Sequence, residues 1–389
     1  MQQVFPGQGK AMLVTRSFSL TSATLALLFA TALYGIAQQP ASQPPRPASP
    51  PPTQPASQAS INLVMPTGTG RIVIPASGLQ WKGAHLYANT SKYVGPGYWS
   101  ELQASKPGGA EKTEQPPLNP VFEFAEKASG LQVSYILFPS VGDSASAQSC
   151  RNRDAATAFP LLAPLAGTID SVNKENITTA KGRALAAATY LFRPAKGSNE
   201  QGKEVDGFLA SSSSCAEIRA SKIPYVSLDD PDFSAQLNSF AFEPNYTPTV
   251  QDYFGVGTIF YRLKSYASAA IYFQRALDTL PEAAPANARR VLTDQLSIAL
   301  AMSGQFERNR ALNEAAIKAD ADYPIYYYNL ARADALQGDV ANAKLHLKQT
   351  FAHEENLPAG EQMPDPINDE SFAKLRDDPS FSAFVESLQ

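Results

Sequence analysis

The sequence predicts an α+β chain: an antiparallel-sheet domain with flanking helices, followed by an all-α array of helical hairpins. Short period-two runs rich in β-branched and aromatic residues fill the middle, as in Arg71-Ile72-Val73-Ile74, Val121-Phe122-Glu123-Phe124 and Leu131 to Phe138. From Val250 onward the apolar spacing changes to three and four, and one hairpin pattern recurs three times. The two kinds of segment do not alternate, which argues against a parallel sheet built from β-α units.

The start of the chain reads as an export signal. Lys10 and Arg16 precede an uncharged apolar run from Leu20 to Ile36, and Gly35-Ile36-Ala37 supplies small residues at its end. Residues 1–37 read as a signal peptide cleaved after Ala37; the alternative is an uncleaved N-terminal membrane anchor. The mature protein is expected outside the cytoplasm, periplasmic or secreted. Residues 38–60 form a Pro/Ala/Ser/Gln tract that cannot bury enough apolar surface to fold, and they read as an extended linker.

Residues 61–248 form the sheet domain. Besides the three runs above, Arg183 to Phe192 and Val205 to Cys215 read as strands. Two segments read as helices: Ala147 to about Phe159, and Asp230 to Phe240, where Asp230-Pro231 starts a helix with Phe233, Leu237 and Phe240 on one face. This order of elements loosely resembles the PsbP/Mog1-like sheet-and-helix fold, a likeness that carries no function. The chain's two cysteines, Cys150 and Cys215, lie here, and in an exported protein an even pair favours a disulfide. The alternatives are two unlinked thiols, or a reactive Cys150 beside Arg151 and Arg153.

Residues 249–356 carry the hairpins: Tyr253…Val256-Gly257…Phe260…Tyr266…Ala269…Phe273…Ala276, then Leu296…Leu300…Gly304…Phe306…Ala316, then Tyr327…Leu330-Ala331…Gly338…Ala343…Leu347. Small residues stand where two helices cross, with large apolar ones between. The pattern resembles the tetratricopeptide repeat of exported bacterial proteins, with repeats at 250–283, 290–323 and 324–356. Lys264, Gly304 and Gly338 fall at the equivalent interhelix turn. Extra residues at Ala283 to Ala288 are expected to lengthen the link between the first two repeats. Repeat two departs from the family, with Asn309 and Asn313 in place of a small residue and an aromatic. Residues 357–389 resemble the capping end of such proteins, through Phe372-Ala373-Lys374-Leu375-Arg376 and Asp378-Pro379-Ser380-Phe381.

The resemblance implies a concave groove lined by the first helix of each hairpin. Carried over by register, its residues are Phe254, Thr258, Tyr261 and Arg262 from repeat one, Asp294 and Ile298 from repeat two, and Tyr328 and Arg332 from repeat three. An apolar and aromatic set of this kind suits an extended peptide or a partner helix. Phe254 and Thr258 stand where chaperone-binding repeats carry lysine and asparagine, so acidic chaperone tails are not the expected ligand. The groove can equally be filled by the chain's own segments or by self-association.

Enzymatic motifs are missing. The phosphate-loop and dinucleotide spacings are absent, so no cofactor is expected. Three histidines, His85, His346 and His353, do not make a zinc set, and no metal is expected; His346 and His353 read as a surface pair on a repeat helix. Ser211 to Ser214 lack a nucleophile elbow and read as strand-facing serines. The net charge of −4 and the lack of a basic patch argue against nucleic-acid binding. The function expected is a noncatalytic exported scaffold holding a protein or peptide partner in a cell-envelope assembly. The alternative is a small-molecule or lipid-binding sheet domain, with the repeats serving dimerisation or positioning.

Overall fold

Ten described strands form two antiparallel sheets, and a helical region follows them. The structure, a computed structural model, describes residues 60–75, 77–88, 118–140, 146–154, 168–194, 197–376 and 378–388. The expected signal, almost all of the Pro-rich linker and the end of the helix expected from Ala147 to about Phe159 lie outside the described residues. No described helix is long and apolar enough to cross a membrane.

The small sheet has the order β1-β2-β10, from Ile61–Val64, Arg71–Ile74 and Ala241–Glu243. The large sheet comprises β3 (Leu79–Ala88), β4 (Leu118–Glu126), β5 (Gln132–Pro139), β6 (Thr168–Thr178), β7 (Ala184–Arg193), β8 (Gly202–Ala210) and β9 (Ser214–Lys222). Its order, β3-β4-β5-β9-β8-β7-β6, joins two meanders edge to edge through the β5–β9 ladder. The turn between β4 and β5 is set locally: Glu126 accepts from the backbone and hydroxyl of Ser129, and Gly130 takes φ +75°. Val205 to Cys215 is not one strand. Ser211 to Ser213 form the β8–β9 turn, where the Ser211 hydroxyl accepts from the backbone N–H groups of Ser213 and Ser214.

Period-two alternation gives the large sheet two different faces. One carries Phe122, Val133, Tyr135, Ile218, Val205 and Ala187, all buried. It packs on α2 (Asp230–Ser239): a Cβ added to Gly207 would lie 2.9 Å from Leu237, and the Tyr135 ring is 6.3 Å from Phe240. The opposite face carries Val121, Ile136, Phe138, Ala186 and Phe208 around α1, residues 147–154. Cys150 on that helix and Cys215 on β9 stand at disulfide-bonding distance.

Six helices follow as three hairpins: α3 (Val250–Arg262) with α4 (Tyr266–Thr279), α5 (Ala286–Met302) with α6 (Phe306–Ala319), and α7 (Pro324–Gln337) with α8 (Val340–Ala352). Thr249 and Asp252 cap α3 reciprocally. Small residues allow the helices to cross: a Cβ on Gly257 would meet the Phe273 ring at 2.7 Å. Lys264, Gly304 and Gly338 do share one turn conformation, with φ of 59°, 75° and 82°. The extra residues after the first hairpin divide between a link, 280–285, and an α5 of 17 residues against 13 in α3 and 14 in α7. Asn309 and Asn313 are fully buried and fasten α6 to α5 by donating to Ser297 at 2.7–2.8 Å.

Both ends of the helical stack are covered by the chain itself. At the start, the Tyr272 hydroxyl donates to the Val64 carbonyl at 2.8 Å, Asn62 donates to Asp252 at 2.9 Å, and Phe122 meets Phe260 ring to ring at 6.1 Å. At the end, Phe372, Leu375, Phe381 and Val385 close over Tyr328, Ala331, Ala343 and Leu347. There Glu370–Phe372 is a 3-10 turn leading into further turns, and the regular helix is α9 (Pro379–Glu386).

Candidate functional site

The eight residues expected to line a groove divide into two groups. On α7 the Tyr328 hydroxyl donates to Asp369 at 3.2 Å and its ring lies 5.7 Å from Phe372. Arg332 donates to Asp369 at 2.7 Å and to the Asn329 side chain at 2.7 Å, and its guanidinium sits 4.6 Å over the Tyr328 ring. Asp294 on α5 accepts from Asn329 at 3.0 Å and lies 3.7 Å from Arg332. Tyr328 and Arg332 thus hold the chain's own segment at Asp369 to Phe372, with Asp294 beside Arg332. Burial opposes the charge on Asp369, but Arg332 and the N–H and hydroxyl of Ser371 outweigh it and hold the carboxyl below its usual range.

The second group lies on α3 and α5. Phe254, Thr258, Tyr261 and Ile298 are half-buried and Arg262 is exposed. The Phe254 ring is 5.7 Å from Phe273, and the Thr258 hydroxyl donates to the Phe254 carbonyl of its own helix. Tyr261 packs edge-on to Tyr266 at 5.4 Å; burial pushes its hydroxyl up to about 12, with the charges of Arg332, Asp294 and Asp369 also acting on it. Tyr261 therefore adjoins the network on α7.

A second constellation sits on the large sheet, and sequence reasoning missed it. On β8 and β9 the residues Glu204, Asp206, Glu217 and Arg219 share the face that carries α1, because Asp206 is opposite Arg219 and Phe208 opposite Glu217. Arg219 donates to Glu217 at 2.7 Å and to Asp206 at 3.3 Å, and it lies 3.5 Å from Asp154 of α1 and 3.8 Å from Glu204. Asp206 and Glu217 are 0% exposed. Burial dominates their titration: it pushes the Glu217 carboxyl up to about 8 and raises Asp206, Glu204 and Asp154, with Arg219 pulling the other way. Arg219 stays charged because the surrounding carboxylates outweigh its desolvation. Tyr190, opposite Glu204 on β7, completes the group. Charges at inward period-two positions, Glu204-Val205-Asp206 and Glu217-Ile218-Arg219, were the available signal.

Other candidates fall elsewhere. Arg153 lies over the Phe138 ring at 4.8 Å, with a nitrogen 3.9 Å from the Cys215 sulfur. His346 and His353 are not a surface pair: His346 faces inward to Asp334 at 2.6 Å, beside Arg310, and His353 stacks on Tyr327 at 5.2 Å. Asp229 and Asp230 pair with Lys222 and Lys203. One oxygen from each of Asp154, Asp206 and Glu217 lies within 4.8 Å of the others, the spacing of a potential metal-ligand set. The chain matches no protein-family model, and no curated protein is significantly similar to it.

Proposed function

We propose that this chain is an exported, noncatalytic scaffold whose hairpins form a tetratricopeptide array and whose concave face takes an extended segment of a protein partner. The observation that carries this reading is the mode in which Tyr328 and Arg332 already hold Asp369 and Phe372: one carboxylate on a guanidinium, and one aromatic ring against another. By the repeat register the same face would continue onto Tyr261, Phe254 and Arg262, whose side chains are half-buried or exposed. A partner segment carrying an acid and an aromatic suits that remaining stretch by the same chemistry. The sheet domain fixes the array through Asp252 and Tyr272, so the face is preformed and binding orders little of the scaffold.

The test is selection of displayed random peptides on the full mature chain, followed by affinity measurement on Phe254→Ala and Tyr261→Ala variants. Enriched peptides with an acid and an aromatic, each bound at least about fivefold more weakly by either variant, support the reading, since an anchor side chain contributes more than about 1 kcal/mol. Peptides that bind wild type and both variants equally place the contact elsewhere and reject it.

A further inference from the structure

We propose that Asp154, Asp206 and Glu217, with Glu204 and Tyr190 beside them, form a binding site for one divalent hard cation, calcium, inside the sheet domain. This inference is independent of the groove. One oxygen from each of the three carboxylates lies within 4.8 Å of the others. Calcium binds oxygen at about 2.3–2.6 Å, so two of its ligands can stand up to about 5 Å apart, whereas magnesium at about 2.0–2.1 Å demands a tighter octahedron. The observed spacing fits calcium with little movement.

The way Arg219 is shared leaves acceptors over. It takes Glu217 through Oε1 and Asp206 through Oδ1, while Glu217 Oε2 and Asp206 Oδ2 are buried without a hydrogen-bond partner among the described residues. The Tyr190 hydroxyl is the independent sign. Tyr190 is 1% exposed, its hydroxyl has no hydrogen-bond partner among the described residues, and it projects from the same face into the field of Asp206, Asp154 and Glu204. Buried polar atoms left unpaired are costly, so several of them on one face of the sheet call for a ligand.

Charge sets the kind of ligand. Were all four carboxylates ionised, as cation ligands must be, the single Arg219 would leave an excess of three negative charges, which a monovalent ion reduces weakly and a divalent ion brings close to neutrality. Oxygen donors without cysteine or histidine select a hard cation. The disulfide partner Cys150 lies on the helix that bears Asp154, so the Cys150–Cys215 link anchors one ligand helix to the strand bearing another.

The experiment titrates calcium into the chelator-stripped mature chain near pH 7.5, following heat, thermal midpoint and tyrosine-sensitised luminescence of terbium as a calcium stand-in. One equivalent bound, a raised midpoint and terbium luminescence that calcium displaces are expected. Asp206→Asn with Glu217→Gln should weaken calcium at least tenfold while the far-ultraviolet spectrum stays native. A wild type showing neither heat nor a midpoint shift up to about 10 mM calcium, beyond even weak extracellular sites, overturns the proposal and leaves the cluster neutralised by protons. A doubly substituted chain that binds as tightly as wild type also overturns it. Should that variant fail to fold, Asp154→Asn on α1 decides: calcium is expected to bind it at least tenfold more weakly, and binding as tight as wild type rejects the site.

Discussion

Replacing Glu217 by glutamine tests the electrostatics of the buried cluster directly. In metal-free buffer with chelator, the folded chain holds Glu217 protonated up to about pH 8, whereas the unfolded chain releases that proton near 4.5. Across that window the folded state binds more protons, so wild-type stability falls as pH rises and levels off above about 8. Every tenfold difference in proton affinity between the two states corresponds to about 1.4 kcal/mol, which sets a ceiling of about 5 kcal/mol for this residue. Glutamine keeps the shape and an acceptor for Arg219 but does not titrate. Urea unfolding of both chains at several pH values gives the difference, in which groups common to both, such as Asp369, cancel. The variant should match wild type near pH 4.5 and exceed it by at least about 2 kcal/mol at pH 8. Parallel pH profiles would refute the assignment of a raised Glu217.

Four further outcomes follow from the geometry. Lys264→Gly should stabilise by up to about 1 kcal/mol in urea unfolding, because Lys264 holds the left-handed φ that glycine supplies in the other two hairpins, partly offset by glycine's freer unfolded state. Gly257→Ala should destabilise by about 1–3 kcal/mol despite alanine's higher helix propensity, because its Cβ would meet the Phe273 ring at 2.7 Å; a raised thermal midpoint would contradict that close approach. Tyr272→Phe should lose about 1 kcal/mol by deleting the buried bond to the Val64 carbonyl, read as a lower urea midpoint at unchanged slope. Asp369→Asn should speed hydrogen exchange over residues 366–376 by leaving Arg332 with Asp294 at 3.7 Å as its remaining carboxylate; in wild type the Asp369 contribution is present above about pH 4 and lost as pH falls through its lowered folded value.

The sequence was most readable where local chemistry decides the structure. Period-two runs marked β2, β4, β5 and β7, and the hairpin register placed Lys264, Gly304 and Gly338 at one turn because each must leave its helix in the same left-handed conformation. Reading failed where distance in sequence decides. β6 carries polar residues such as Asp170, Ser171, Asn173 and Lys174, so it lacks an apolar alternation. The serine turn at Ser211 to Ser213 bonds within itself and gave no glycine or proline signal. β5 and β9 lie far apart in the sequence, and their ladder, with α1 packed beside it, helps bring Asp154 to Glu217. The groove residues were named by register, but Asp369 gave no local sign that it would lie on Arg332.

The covered ends of the helical stack limit how this chain can associate. An open repeat array can add a further unit at either end, since each hairpin buries an apolar face on its neighbour. Here Phe122 and Val64 occupy the face that α3 and α4 would offer, while Phe372 and Phe381 occupy that of α7 and α8. Displacing either cover would expose a set of fully buried aromatics, including Phe260 and Tyr272 at one end and Tyr328 at the other. Burial of each such ring is worth about 2–3 kcal/mol, so end-to-end stacking of two copies must first undo several such contacts. Association that leaves the fold intact is thereby directed to the sides of the helical stack.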